Sequence, residues 1–167
     1  METAGLLLAA GQGTRMESKL PKVLHPILGR PMILYAIESL QQATGSKPVV
    51  VIGHGAELIR QSIGEQVEWV LQQPQLGTGH AVQQAQGLLQ GRADQVLVTT
   101  ADMPLMRTET LRRLLEVQSV NPGPITMLTL IAPDARGFGR IVRDAGGRVA
   151  VIVEEAQATP EQLAIHE

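Results

Sequence analysis

The sequence predicts a three-layer α/β domain built on a mostly parallel sheet. Apolar runs of strand length, each closed by glycine or a polar loop, alternate with segments whose apolar residues recur at helical spacing. The length, 167 residues, suits one domain, which buries roughly 70% of its unfolded surface.

Residues 4–10 are short and apolar, end at Gly11, and read as a buried strand. Residues 11–22 form a polar, glycine-containing loop, long for a strand-to-helix connection. Residues 32–42 carry Ile33, Leu34, Ile37 and Leu40 on one helical face, with Pro31 suited to the first turn. Strand 49–52, helix 56–63, strand 67–71 and helix 79–89 continue the alternation. Strand 96–98 runs into Thr99-Thr100-Ala101-Asp102, and Thr108 reads as the N-cap of a helix bearing Leu111, Leu114, Leu115 and Val117. After the turn Asn121-Pro122-Gly123-Pro124 the period changes, and 125–131, 140–143 and 149–153 read as strands. Thr159-Pro160-Glu161-Gln162 opens a short capped helix. Right-handed crossovers then dictate a mostly parallel sheet covered on both faces.

Composition removes several functions. Fourteen Lys+Arg against sixteen Asp+Glu give a net charge of −2, and Tyr35, Trp69 and Phe138 are the only aromatics. Neither a basic field nor a base-stacking platform for nucleic acid is available. The absence of cysteine excludes disulfides and thiolate metal sites. The longest apolar run, residues 6–10, is far too short to span a membrane and has no basic flank of a signal peptide. These features point to a cytoplasmic domain.

Ligands of open parallel sheets bind beyond the carboxyl ends of the strands. The loop Gly11-Gln12-Gly13-Thr14-Arg15 follows the first strand, and Lys19 and Lys22 are two of the three lysines in the chain. Glycines let backbone N–H groups approach an anion and the cations answer its charge. The loop is a phosphate cradle or an ordinary turn; Met16 stands where a dinucleotide fingerprint needs its third glycine, and no P-loop occurs. Asp102, directly after a buried strand, either holds Mg²⁺ or organises the turn before Pro104. The amides of residues 72–78 either read the edge of a uracil-like base or are solvated. His25, His54, His80 and His166 lack metal-ligand spacing and read as loop or packing residues, and no G-x-S-x-G elbow exists.

Together these stretches resemble the sugar-nucleotide pyrophosphorylases. The similarity is strongest to the N-terminal uridylyltransferase domain of the bifunctional N-acetylglucosamine-1-phosphate uridylyltransferase/glucosamine-1-phosphate acetyltransferases. It rests on Leu8-Ala9-Ala10-Gly11-Gln12-Gly13-Thr14-Arg15-Met16 and Leu20-Pro21-Lys22-Val23-Leu24-His25. Gln72 with Gln75-Leu76-Gly77-Thr78-Gly79-His80-Ala81, Asp102-Met103-Pro104-Leu105 and Gly137-Phe138-Gly139-Arg140-Ile141 extend it, with Val153-Glu154 beyond. The opening motif alone is shared with molybdenum-cofactor guanylyltransferases. The resemblance implies a three-layer, Rossmann-like nucleotidyltransferase fold with a mixed, mostly parallel sheet. It further implies that Leu8, Ala10, Gly11, Gly13, Lys22, Gln72, Gly77 and Thr78 surround UTP, that Arg15 and Lys22 are catalytic cations on its phosphates, and that Asp102 binds Mg²⁺. Gly139 and Glu154 would contact N-acetylglucosamine 1-phosphate.

The chain departs from the family pattern in three places. Ala101 replaces the usual glycine before the metal aspartate, no lysine follows Glu154, and the only asparagine, Asn121, matches neither of the family's later ones. The resemblance therefore implies one domain, 1–167, incomplete at its C-terminus. On the same resemblance, the expectation is that the β-helix acetyltransferase domain through which the parent would trimerise is not part of this chain. The expectation is a monomer or weak dimer with feeble turnover.

Overall fold

The computed structural model describes residues 1–13 and 16–167. They divide into two compact units, Met1–Val120 and Asn121–Glu167, where the sequence reads as one domain. In the first unit, β1 (Thr3–Ala9) leads through the loop to a small hairpin, β2 (Pro26–Ile27) and β3 (Arg30–Pro31). Then follow α1 (Met32–Thr44), β4 (Val49–Ile52), α2 (Ala56–Ile63), β5 (Glu68–Leu71), α3 (Thr78–Gln84), α4 (Gln86–Leu89), β6 (Gln95–Thr100) and α5 (Thr108–Val120).

The sheet has the order β5-β4-β1-β6. All three pairings are parallel; Leu6 to Ala9 pair with Val49 to Ile52, and Leu8 reaches Thr100 on the other side. Side chains alternate across β1 and β4 because successive residues of a strand face opposite ways. Leu7, Ala9, Val50 and Ile52 pack on one face with Ile37 and Leu40 of α1, Ile59 of α2 and Leu111 of α5. Leu6, Val49 and Val51 pack on the other with Ala81 and Ala85 of α3 and its C-cap and Leu89 of α4. These are the three expected layers. The approach of α1 to β1 is close: a Cβ on Gly5 would lie 2.8 Å from Leu40 Cγ.

Two expectations in this unit need adjusting. The single helix 79–89 is two short helices, because the turn at Ala85 switches to i→i−3 bonding through Ala85 N–H to Val82 O and Leu88 N–H to Ala85 O. Thr108 is the first residue of α5 rather than its cap, and its hydroxyl donates to Gln42 Oε1 on α1.

The second unit is built on an antiparallel hairpin, β7 (Arg140–Arg143) and β8 (Val149–Val153), followed by α6 (Pro160–Leu163). The capping box is present: Thr159 Oγ1 accepts from Gln162 N–H and Gln162 Oε1 from Thr159 N–H. The mixed sheet is thus a wholly parallel sheet in one unit and a separate antiparallel hairpin in the other. Residues 125–131 are not a strand. Their apolar-rich run has no ladder partner among the described residues, and Ile125, Leu130 and Ile131 stay mostly exposed.

Candidate functional site

At the carboxyl edge of the parallel sheet lies a cavity of about 330 Å³. It sits where the strand order reverses between β1 and β6, the place at which open α/β sheets leave a crevice. Its walls come from three places: Leu8 to Gly11, Gly13 and Lys22 at the end of β1 and in the loop after it, Gln72, Gln75, Gly77 and Thr78 after β5, and Thr100 and Asp102 at the end of β6. All nine described residues expected at a nucleotide and its metal line this one cavity, namely Leu8, Ala10, Gly11, Gly13, Lys22, Gln72, Gly77, Thr78 and Asp102. Arg15, the other expected cation, lies outside the described residues. Val23, Gln75, Ala81 and Thr100 also line it without having been singled out. Gln75 and Ala81 lay within reach of sequence reasoning, inside a motif whose neighbours were named.

Close packing holds the first loop. Gly13 has φ +63°, a left-handed backbone, and a Cβ there would lie 2.7 Å from Lys22 Cβ. Gly55, at φ +68° in the turn after β4, would meet Pro21 Cγ at 2.4 Å. Both sites admit glycine for conformation and for space. Lys22 is the first residue of a short 3₁₀ turn, Lys22–Leu24, whose Val23 and Leu24 are buried.

Lys22 Nζ donates to Asp102 Oδ2 at 2.8 Å, both side chains being about two-fifths exposed. Burial pushes the Asp102 carboxyl up, but the Lys22 ammonium, the Thr100 hydroxyl and a backbone N–H outweigh it and hold the group below the usual aspartate range. It stays ionised at neutral pH. Among the described residues no three metal-binding side chains cluster. Asp102 with Thr100 offers only hard oxygen donors, which fits Mg²⁺ held by one carboxylate and otherwise by water and ligand phosphates.

Gln72 is 4% exposed. Its N–H continues the sheet by donating to Ile52 O at 2.8 Å, and its side-chain Nε2 donates to Gly77 O at 2.9 Å and meets His80 Nδ1 at 3.1 Å. The loop amide expected to be solvated or to face a ligand is therefore anchored on one side.

Gly139 and Glu154 belong to the second unit. The register Arg140↔Val153 sets them side by side at the mouth of the β7–β8 hairpin, where a Cβ on Gly139 would lie 3.9 Å from Glu154 Oε2. Both line a separate cavity of about 300 Å³ with Phe138 and His166.

Residues 5–137 match the family model described as the MobA-like NTP transferase domain. This chain belongs to that family. The NTP transferase domain is also similar to the protein named Bifunctional protein GlmU from an Exiguobacterium species, at 47% identity over the whole chain and 37% of the relative. A relative of the same name from Pseudomonas aeruginosa is 50% identical over 97% of this chain and 35% of its own length. The chain spans about a third of the length of these relatives. A solved UDP-glucose pyrophosphorylase superposes with a TM-score of 0.70 at 20% identity, covering 99% of this chain and 73% of its own, which shows the shared fold. No helix among the described residues is long and apolar enough to cross a membrane.

Proposed function

We propose that the first-unit cavity binds UTP with Mg²⁺, and that the chain serves transfer of UMP to N-acetylglucosamine 1-phosphate, giving UDP-N-acetylglucosamine and pyrophosphate. One observation carries the reading: a cation, a carboxylate, the close-packed Gly13 and an anchored glutamine converge on one cavity at the switch point of the sheet. The name shared by the two relatives supports the choice of substrates.

The chemistry asks little covalent work of the protein. A sugar 1-phosphate has its second pKa near ~6 and is largely dianionic at neutral pH, so its oxygen needs no general base. That oxygen forms a bond to the α-phosphorus of UTP while the bond to the bridging oxygen breaks, and the electron pair leaves with pyrophosphate. The protein supplies alignment and relief of anionic repulsion. Lys22 neutralises charge on the phosphates, and Arg15 is proposed to do the same. Backbone around Gly11 and Gly13 admits the chain of phosphates closely, Gln72 with Gly77 and Thr78 faces the base, and Asp102 holds the metal. Mg²⁺ supplies charge neutralisation across the phosphate oxygens when bound. Gly139 and Glu154 are proposed to meet the sugar.

One other reading, a molybdenum-cofactor type of transferase that takes guanine instead of uracil, follows from the opening motif at residues 8–16 that such enzymes share. Pyrophosphate release measured over a panel of nucleoside triphosphates and acceptors separates the two. The proposal expects release with UTP, Mg²⁺ and N-acetylglucosamine 1-phosphate together and not when the sugar phosphate is omitted. Saturable UTP binding without release would reduce the chain to a nucleotide-binding module, and release with GTP alone would overturn the uridylyl reading.

A further inference from the structure

His80 and Gln84 lie outside the residues assigned to the nucleotide, yet they decide which end of the Gln72 amide is left for a ligand. Gln72 Nε2 is 2.9 Å from Gly77 O. Only the nitrogen end of an amide can donate to a carbonyl oxygen, so this contact fixes which end is which. The second hydrogen of the same nitrogen points to His80 Nδ1, 3.1 Å away. That imidazole nitrogen must accept, which puts the ring hydrogen on Nε2. Gln84, one turn further along α3, completes the relay: its side-chain amide nitrogen lies 3.1 Å from His80 Nε2. Two donors cannot share that contact. A half-turn of the Gln84 amide, which exchanges two nearly indistinguishable ends, gives the ring N–H its acceptor.

We propose that His80, held by Gln84, is a positioning residue that locks the Gln72 amide so that its carbonyl oxygen alone is left to face the base. The consequence is base selection. Among the described residues Gln72 Oε1 has no hydrogen-bond partner, whereas both hydrogens of Nε2 are taken. Uracil carries a donor, N3–H, at the centre of its pairing edge; cytosine carries an acceptor at the same atom. An amide free to rotate would serve either base, presenting oxygen to one and nitrogen to the other. A locked amide is an acceptor only. Bringing cytosine to it sets two lone pairs against each other or leaves a buried group unpaired, and discrimination of that kind is strong.

The inference rests on the uridylyl reading, and its test separates the two. Titration calorimetry with UTP, CTP and inorganic triphosphate, each with Mg²⁺, is run on the wild-type chain and on His80→Leu and His80→Asn. Leucine has no acceptor, while asparagine can set an oxygen near the position of Nδ1. The expected result is a wild-type preference for UTP over CTP that falls about tenfold in His80→Leu and is kept within threefold in His80→Asn. Affinity for inorganic triphosphate should not change in either variant, since that ligand meets only the first loop. A wild-type chain with no preference for UTP, or no binding of it, overturns the uridylyl reading and this inference together. A preference that survives in His80→Leu overturns the inference alone, as does a parallel loss of triphosphate affinity, which would mark His80 as merely structural.

Discussion

Lys22 is bonded to Asp102 at 2.8 Å, so a triphosphate that takes the ammonium must part it from a carboxylate. A metal ion arriving with the phosphates gives that carboxylate a new partner, and bare triphosphate does not. Asp102→Asn is therefore expected to raise affinity for triphosphate in EDTA by about 3–10-fold while abolishing the gain from added Mg²⁺, both read by calorimetry. Unchanged affinity in EDTA would contradict the pairing. Lys22→Ala is expected to cut pyrophosphate release by about 10²–10³, the usual loss for a charge-stabilising donor, and a rate within threefold of wild type would remove Lys22 from the phosphates. Asp102 and Gln72 were legible in the sequence because each is a polar residue just beyond an apolar strand, and Lys22 because it is one of three lysines and closes the glycine-containing loop after the first strand. His80 was not. Among four scattered histidines it read as packing, since its link to Gln72 depends on how the turn between β5 and α3 folds back, and spacing carries no trace of that.

The strands and helices were legible to the degree that their own residues decide them. Helix α2 and strands β7 and β8 have the bounds their apolar periods dictate. Residues 125–131 have an equally good strand pattern and no ladder, because a strand is a property of two segments and the sequence displays only one at a time. The packing of α1 on β1 yields a stability prediction. Gly5→Ala puts a methyl group 2.8 Å from Leu40 Cγ in the core and should cost about 1–3 kcal/mol in urea denaturation. No loss would show that the helix has room to withdraw. The hairpin β2–β3 is tied to α1 by Arg30, whose guanidinium donates twice to Glu38, at 3.0 and 2.9 Å, and lies over Tyr35. The hydrogen bond from Arg30 outweighs desolvation and holds the Glu38 carboxyl below the usual glutamate value. A lowered folded pKa contributes stability that is full above the unfolded value and is lost as pH falls through the folded one. Glu38→Gln should thus lower Tm at neutral pH, by no more than ~3 °C for so exposed a pair. The difference should vanish as pH drops through the carboxylate range.

Across the whole chain, the sequence pattern conveys a three-layer fold but not its division at Val120, because apolar periodicity counts buried faces without saying which of them share a core. The first unit has two apolar clusters, one on each face of its sheet. In the second, Leu128, Leu130, Ile131, Phe138 and Ile152 are all more than half exposed. Amides of β1 and β4 should therefore exchange with solvent only through global unfolding, and those of β7 and β8 through far cheaper local opening. Equal protection in the two units would contradict this. The central claim, that the first-unit cavity is the UTP site, is tested most directly by titrating the ¹⁵N-labelled chain with UTP and Mg²⁺ and following its amide resonances. Saturable shifts at Gly11, Gly13, Gly77, Thr78 and the Gln72 side chain, with the second unit quiet, are the result expected; shifts absent from those residues, or centred on Gly139 and Phe138, would contradict it.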